Sequence, residues 1–221
     1  MPLLREAGIT AIAIDLPGHG DDGGPFTDLH GDAARVLATL DSIDGEIVLL
    51  GHSYGGAVIT EAGVHPSVTH LVYLCALVLD QDETCQVAAV DASSPFPHEE
   101  RPNLAEGMII DDEGRCILSS ASAAACLYNQ CDVETVNWAL ARIGPHPMEN
   151  LGQTPSAVAW RDRPSTYITC ADDRAIPPGL QRRMSKRCTH SYEWPTGHSP
   201  FASHPSMLSD VLVKLATAIS G

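Results

Sequence analysis

Ile47-Val48-Leu49-Leu50-Gly51-His52-Ser53-Tyr54-Gly55-Gly56-Ala57-Val58-Ile59 is the stretch that decides how the 221-residue chain is read. Four consecutive apolar residues, two of them β-branched, predict a buried strand, and Gly56 onward carries the apolar pattern of a helix. Between them a Gly-x-Ser-x-Gly turn sets Ser53 on a tight bend, where side chains at the glycine positions would collide with neighbouring backbone. The helix N-terminus behind the serine offers free N–H groups and a partial positive charge where an oxyanion would form. Ser53 is thus the candidate nucleophile.

Outward from this turn, short apolar runs alternate with helical patterns, which implies βαβ units and a mostly parallel sheet flanked by helices. Strands are expected at residues 9–16, 46–50, 68–79, 165–171 and 191–194, and helices at 32–43, 55–64, 178–187 and 205–219. In the first of these helices Val36, Leu37 and Leu40 should face inward. Residues 2–8 read as the last turns of a helix stopped by Gly8. The alternation lapses between the third and fourth strands. Residues 80–162 are therefore expected to form a helical cap inserted into a core of residues 1–79 and 163–221, with helices at 121–127 and 133–143.

Bulk properties narrow the function classes. Aromatics are only 5% of the chain against 44% apolar residues overall, so alanine and the aliphatics must fill the core. Twenty-eight acidic against 13 basic residues give a net charge of −15, which disfavours nucleic acid and anionic membrane as partners. The one basic cluster, residues 182–187, reads as a solvated helix face. The longest apolar run, residues 71–79, is half of what a bilayer requires, and residues 1–8 lack the pattern of a signal peptide. A soluble, cytoplasmic protein is expected. Seven cysteines contain no Cys-x-x-Cys pair and read as small apolar residues in a reducing compartment. No metal or cofactor is expected, and a homodimer is one arrangement the sequence allows.

A serine hydroxyl needs a base oriented by a carboxylate, and on this kind of sheet the order is serine, acid, histidine. Glu193-Trp194-Pro195-Thr196-Gly197-His198 places His198 in a loop just after the last core strand, which makes it the candidate base. Cys170-Ala171-Asp172-Asp173-Arg174-Ala175-Ile176-Pro177 offers two adjacent acids after the preceding strand, and side-chain alternation lets only one face the histidine. Asp173, four residues ahead of the proline, is preferred; Asp172 is the alternative.

Taken together, these three segments resemble the α/β-hydrolase superfamily over nearly the whole chain. The segments around Asp173 and Gly197-His198-Ser199-Pro200-Phe201 are most similar to small bacterial esterases related to the plant methylesterase and hydroxynitrile lyase group. Asp15-Leu16-Pro17-Gly18-His19-Gly20 matches the family's strand-to-loop sequence, in which His19 would be structural. The resemblance implies an α/β-hydrolase fold and a cofactor-independent esterase acting on a small apolar ester through an acyl-enzyme. A thioesterase or amidase is a close variant, and a ligand-binding pseudoenzyme on the same fold is the rival reading. Lyases of the group carry a lysine directly after the catalytic histidine, where this chain has Ser199. A dehalogenase would carry aspartate in place of Ser53.

The resemblance also assigns one oxyanion donor to the N–H of Tyr54. The second would come from a His-Gly loop ahead of the helix that ends near Ala7, and residues 1–8 do not contain it. A shortened sequence is the preferred explanation over a true loss. Phe96, Met108, Ile109, Trp138 and Trp160 are candidate walls of an apolar pocket under the cap.

Overall fold

The computed structural model describes residues 1–86 and 104–219; Phe96 and the surrounding 93–97 stretch lie outside the described residues. A four-stranded sheet carries the fold, in the order β1 (Ile47–His52), β2 (Val68–Leu74), β6 (Ser165–Cys170), β7 (His190–Trp194). Every pairing in it is parallel. The inner strands are covered on both faces, and the alternation along β2 divides its side chains accordingly, whereas the edge strand β7 leaves His190–Glu193 exposed. Leu71 and Tyr73 join one buried cluster with Leu49, Tyr167 and the helices α2 (Leu29–Leu40), α3 (Gly55–Ala62) and α6 (Pro178–Met184). Val72 and Leu74 join the other, with Ile168, Cys170, Trp194 and helix α8 (Pro205–Ile219). Among them lie the short helices α1 (Pro2–Glu6), α4 (Ser120–Cys126), α5 (Val133–Leu140) and α7 (Pro200–Ser203).

The expected elements stand close to where the sequence puts them, with three physically instructive differences. Helix α2 begins three residues early, because the Asp28 side chain accepts the Gly31 N–H at 2.8 Å and caps the helix there. Strand β2 stops at Leu74 rather than running to residue 79, because Cys75 adopts φ 37° and turns the chain out of the ladder. Residues 9–16 do not form the expected strand. Their backbone carries no ladder among the described residues, Ile12 is 53% exposed, and only Ile14 and Leu16 pack on the core. Apolar sequence favours a strand only where a neighbour can pair its N–H and C=O groups.

Between β2 and β6 the chain holds helices α4 and α5, as expected, and also a three-stranded antiparallel sheet, β3 (Met108–Ile110), β4 (Arg115–Leu118) and β5 (His146–Pro147). These strands are two to four residues long, too short for a period-2 pattern to mark them.

In the turn after β1, the expectation that both motif glycines avoid a backbone collision holds for Gly51 but not for Gly55, whose Cβ would have nothing within 4 Å; the second crowded position is Gly56. A Cβ on Gly51 would stand 2.4 Å from the Gly55 carbonyl oxygen, and one on Gly56 2.6 Å from the Leu77 oxygen. Both obstacles are backbone and cannot swing aside. Gly56→Ala is therefore expected to destabilise the fold by about 1–3 kcal/mol, read as a lowered urea midpoint with an unchanged slope.

Candidate active site

Four strand ends meet at one end of the sheet, where open parallel sheets hold their ligands. Ser53 follows β1 with φ 55°, one of two non-glycine residues with positive φ among the described residues, the other being Cys75 after β2. Its backbone is fully engaged: the N–H donates to Leu74 O, and the carbonyl accepts from Gly56 and Leu77 N–H. Tyr54 caps the N-terminus of α3 directly behind it.

Asp173 follows β6 and His198 follows β7. Both are buried, and the His198 Nδ1–H donates to Asp173 Oδ2 at 2.8 Å. Asp173 also accepts the N–H groups of Ala175 and Ile176 on Oδ1 and the Nε2–H of Gln181 on Oδ2, at 2.7–2.9 Å. Four donors hold this carboxylate: two backbone amides, the Gln181 side chain and the His198 ring. Gln181 is itself wholly buried, and its Oε1 accepts the Cys170 N–H. Asp172 points the other way. Its carboxylate accepts from Gln130 Nε2 at 2.9 Å and its carbonyl from Asn129 Nδ2 at 3.1 Å. Gln130 Oε1 in turn accepts the Gly197 N–H, so one side chain bridges the neighbours of both Asp173 and His198.

A second polar cluster stands behind Tyr54. Buried Asp32 accepts the Tyr54 hydroxyl at 2.7 Å, Asn150 Nδ2 at 2.9 Å and the Thr27 hydroxyl at 2.9 Å. Desolvation raises the Asp32 carboxyl, and burial with the Asp32 bond raises the Tyr54 phenol. Asp32, Asn129, Gln130, Asn150 and Gln181 all escape a reading of the sequence. A polar residue on the inward face of an amphipathic helix is a usable signal for Asp32 and Gln181; the others sit in loops and short turns with no periodicity.

Of the expected pocket walls, Ile109 and Trp138 stand at the surface, 59% and 60% exposed, and Trp160 packs on the main core with its indole N–H on Leu79 O. Burial in an antiparallel edge or a short helix is set by what packs above it, which their local sequence does not specify. His19 lies in its expected loop, with its ring on those of Phe26 and His146. All seven cysteines are free thiols. His52, Cys75 and His198 bring ligating atoms within 4.8 Å of one another, and the His52 Nε2 and the Cys75 thiol are both engaged with the His198 backbone oxygen.

The sequence matches the family described as "Alpha/beta hydrolase family" over residues 1–211. The chain belongs to that family. Among its relatives, a pyrethroid hydrolase of Sphingobium wenxiniae is 28% identical over 99% of this chain and 81% of its own. Methylesterase 1 of Arabidopsis thaliana is 25% identical over 97% and 88%. The crystal structure of a pyrethroid hydrolase from Sphingobium faniae superposes with a TM-score of 0.84 at 26% identity, covering 99% of this chain and 90% of that one. The expected α/β-hydrolase fold and the likeness to plant methylesterases therefore stand. No helix among the described residues is long and apolar enough to cross a membrane.

Two histidines of this α/β hydrolase are held neutral. Burial, with His198 adjacent, pushes His52 down to about 3, and burial beside His19 pushes His146 down to about 4. In the unfolded chain both take up a proton near pH 6.5. Between that value and about 4 the unfolded state binds more protons than the folded one, so stability falls as pH falls through this window. At pH 5 the loss is on the order of 2 kcal/mol for each ring. His146→Phe is expected to flatten the dependence of the urea midpoint on pH between 7 and 5; an unchanged slope would contradict the assignment.

Proposed function

We propose that the protein is a serine hydrolase that cleaves small carboxylic esters through Ser53, His198 and Asp173. The observation that carries this reading is the buried 2.8 Å bond from His198 to Asp173, formed at the same sheet end as a serine on a positive-φ strand-to-helix turn. The chain is a carboxylic ester hydrolase of a family whose relatives include proteins named methylesterase and pyrethroid hydrolase.

In this mechanism His198 Nε2 takes the Ser53 hydroxyl proton as Oγ attacks the ester carbonyl. Asp173 keeps the Nδ1 proton in place and stabilises the imidazolium; its four donors hold it in that orientation. The Tyr54 N–H, at the N-terminal end of α3, donates to the oxyanion. His198 then gives the proton to the departing alcohol, and water, activated by the same histidine, releases the acid from Ser53. Residues 80–162 act as the cap over a core of residues 1–79 and 163–221, shielding the acyl-enzyme. The relatives' names favour a small apolar ester as substrate, and the reaction calls for no cofactor.

Hydrolysis of short p-nitrophenyl esters is expected in the wild-type protein and a loss of about 10⁴-fold or more in kcat for Ser53→Ala. A fluorophosphonate probe should label Ser53 in the former alone. Equal rates in the two proteins would refute the assignment.

A further inference from the structure

The esterase reading leaves one side chain of the site without a task. His52 is the last residue of β1 and directly precedes Ser53. Its Nε2 lies 2.8 Å from the backbone oxygen of His198, a partner 146 residues away. A carbonyl has no proton to give, so this nitrogen is the donor and the tautomer is settled. The two imidazole rings lie 4.5 Å apart between centroids, tilted by 51°, and Phe201 meets the His52 ring edge-on at 5.0 Å. The Cys75 thiol, from the turn after β2, donates to the same His198 oxygen at 3.2 Å. Two donors from the ends of two adjacent strands thus grip one carbonyl of the loop that bears His198.

Asp173 restrains the imidazole at Nδ1, but one hydrogen bond leaves a ring free to pivot about it. A general base must also stay within hydrogen-bond reach of the proton it abstracts, and a misplacement of about 1 Å can cost about 100-fold in rate. His52 and Ser53 are consecutive on one rigid strand end, so a clamp through His52 refers the position of His198 to the nucleophile itself. We propose that His52 is a positioning residue, whose N–H and ring face hold the His198 loop in register with Ser53. The titratable groups facing His52 are His198, Asp173 and Cys75. Because the ring stays neutral, it adds no positive charge beside His198 when the latter takes up a proton. The catalytic meaning of the clamp rests on the esterase reading, whereas the clamp itself is measurable without turnover.

Two variants separate the role from simple packing. His52→Phe keeps an aromatic face and removes the donor; His52→Gln keeps an N–H at similar reach. In p-nitrophenyl ester hydrolysis His52→Phe is expected to lower kcat about tenfold or more with KM within about twofold, and His52→Gln to recover to within about threefold of wild type. The rate at which a fluorophosphonate labels Ser53 should follow kcat. By NMR of protein labelled with ¹⁵N-histidine, the low-field Nδ1–H resonance of His198 should shift or broaden in His52→Phe and return in His52→Gln. A wild-type kcat and an unmoved resonance in His52→Phe would overturn the proposal, as would equal impairment of the two variants. A wild-type protein that neither hydrolyses esters nor labels would overturn the esterase reading, while the His198 resonance would still decide the clamp.

Discussion

The chain must leave β1 and enter α3 through Ser53 at φ 55°, a conformation that costs a non-glycine residue on the order of 1–3 kcal/mol unless its surroundings hold it there. What holds it is the neighbouring strand. The Ser53 N–H is taken by Leu74 O and its carbonyl is taken by Leu77 N–H. Leu77 reaches that carbonyl because Cys75, at φ 37°, has already turned the chain after β2. The two unusual residues are therefore coupled: the turn at Cys75 carries residues 76 and 77 across Gly56, whose missing Cβ leaves the space they cross. The same turn delivers the Cys75 thiol to the carbonyl of His198, so the backbone strain that mounts the serine also locates the histidine.

The two carboxylates buried around this turn, Asp173 and Asp32, are held by amide, hydroxyl and ring N–H donors. Asp173 has four donors, one of them the His198 ring, and Asp32 has three. A chain of net charge −15 has few cations to spare, and desolvating one beside each carboxylate would be expensive. Gln181, Asn150, Thr27 and Tyr54 supply hydrogen bonds without that cost. His52 and His146 in the same region are kept uncharged by burial, which makes the arrangement dependent on a pH at which these two stay neutral.

What could be read from the sequence was local. Residues 47–59 announce a strand, a turn and a helix within one window, and His198 and Asp173 each sit in a short loop that follows an expected strand. Residues 9–16 carry the same kind of apolar signal and yet form no ladder, because pairing is a property of the neighbour and not of the segment. The three-stranded sheet between β2 and β6 escaped because β5 is only His146–Pro147, with one residue unable to donate at all. Partners of His52 and Gln130 lie 146 and 67 residues away, and no spacing rule links them.

The pair Asp172-Asp173 shows how a choice between alternatives can hide a division of labour. From sequence the two carboxylates compete for one position, since alternation sends adjacent side chains to opposite sides. In the structure both sides are occupied to purpose. Asp173 turns inward to His198, and Asp172 turns outward to Gln130 of the segment between β2 and β6. Gln130 also holds the Gly197 N–H, next to the histidine, so the loops that bear Asp173 and His198 are tied together from outside as well as through their own bond. Moving the acid by one residue would break both arrangements at once, because the inner carboxylate and the outer tie depend on the same backbone alternation.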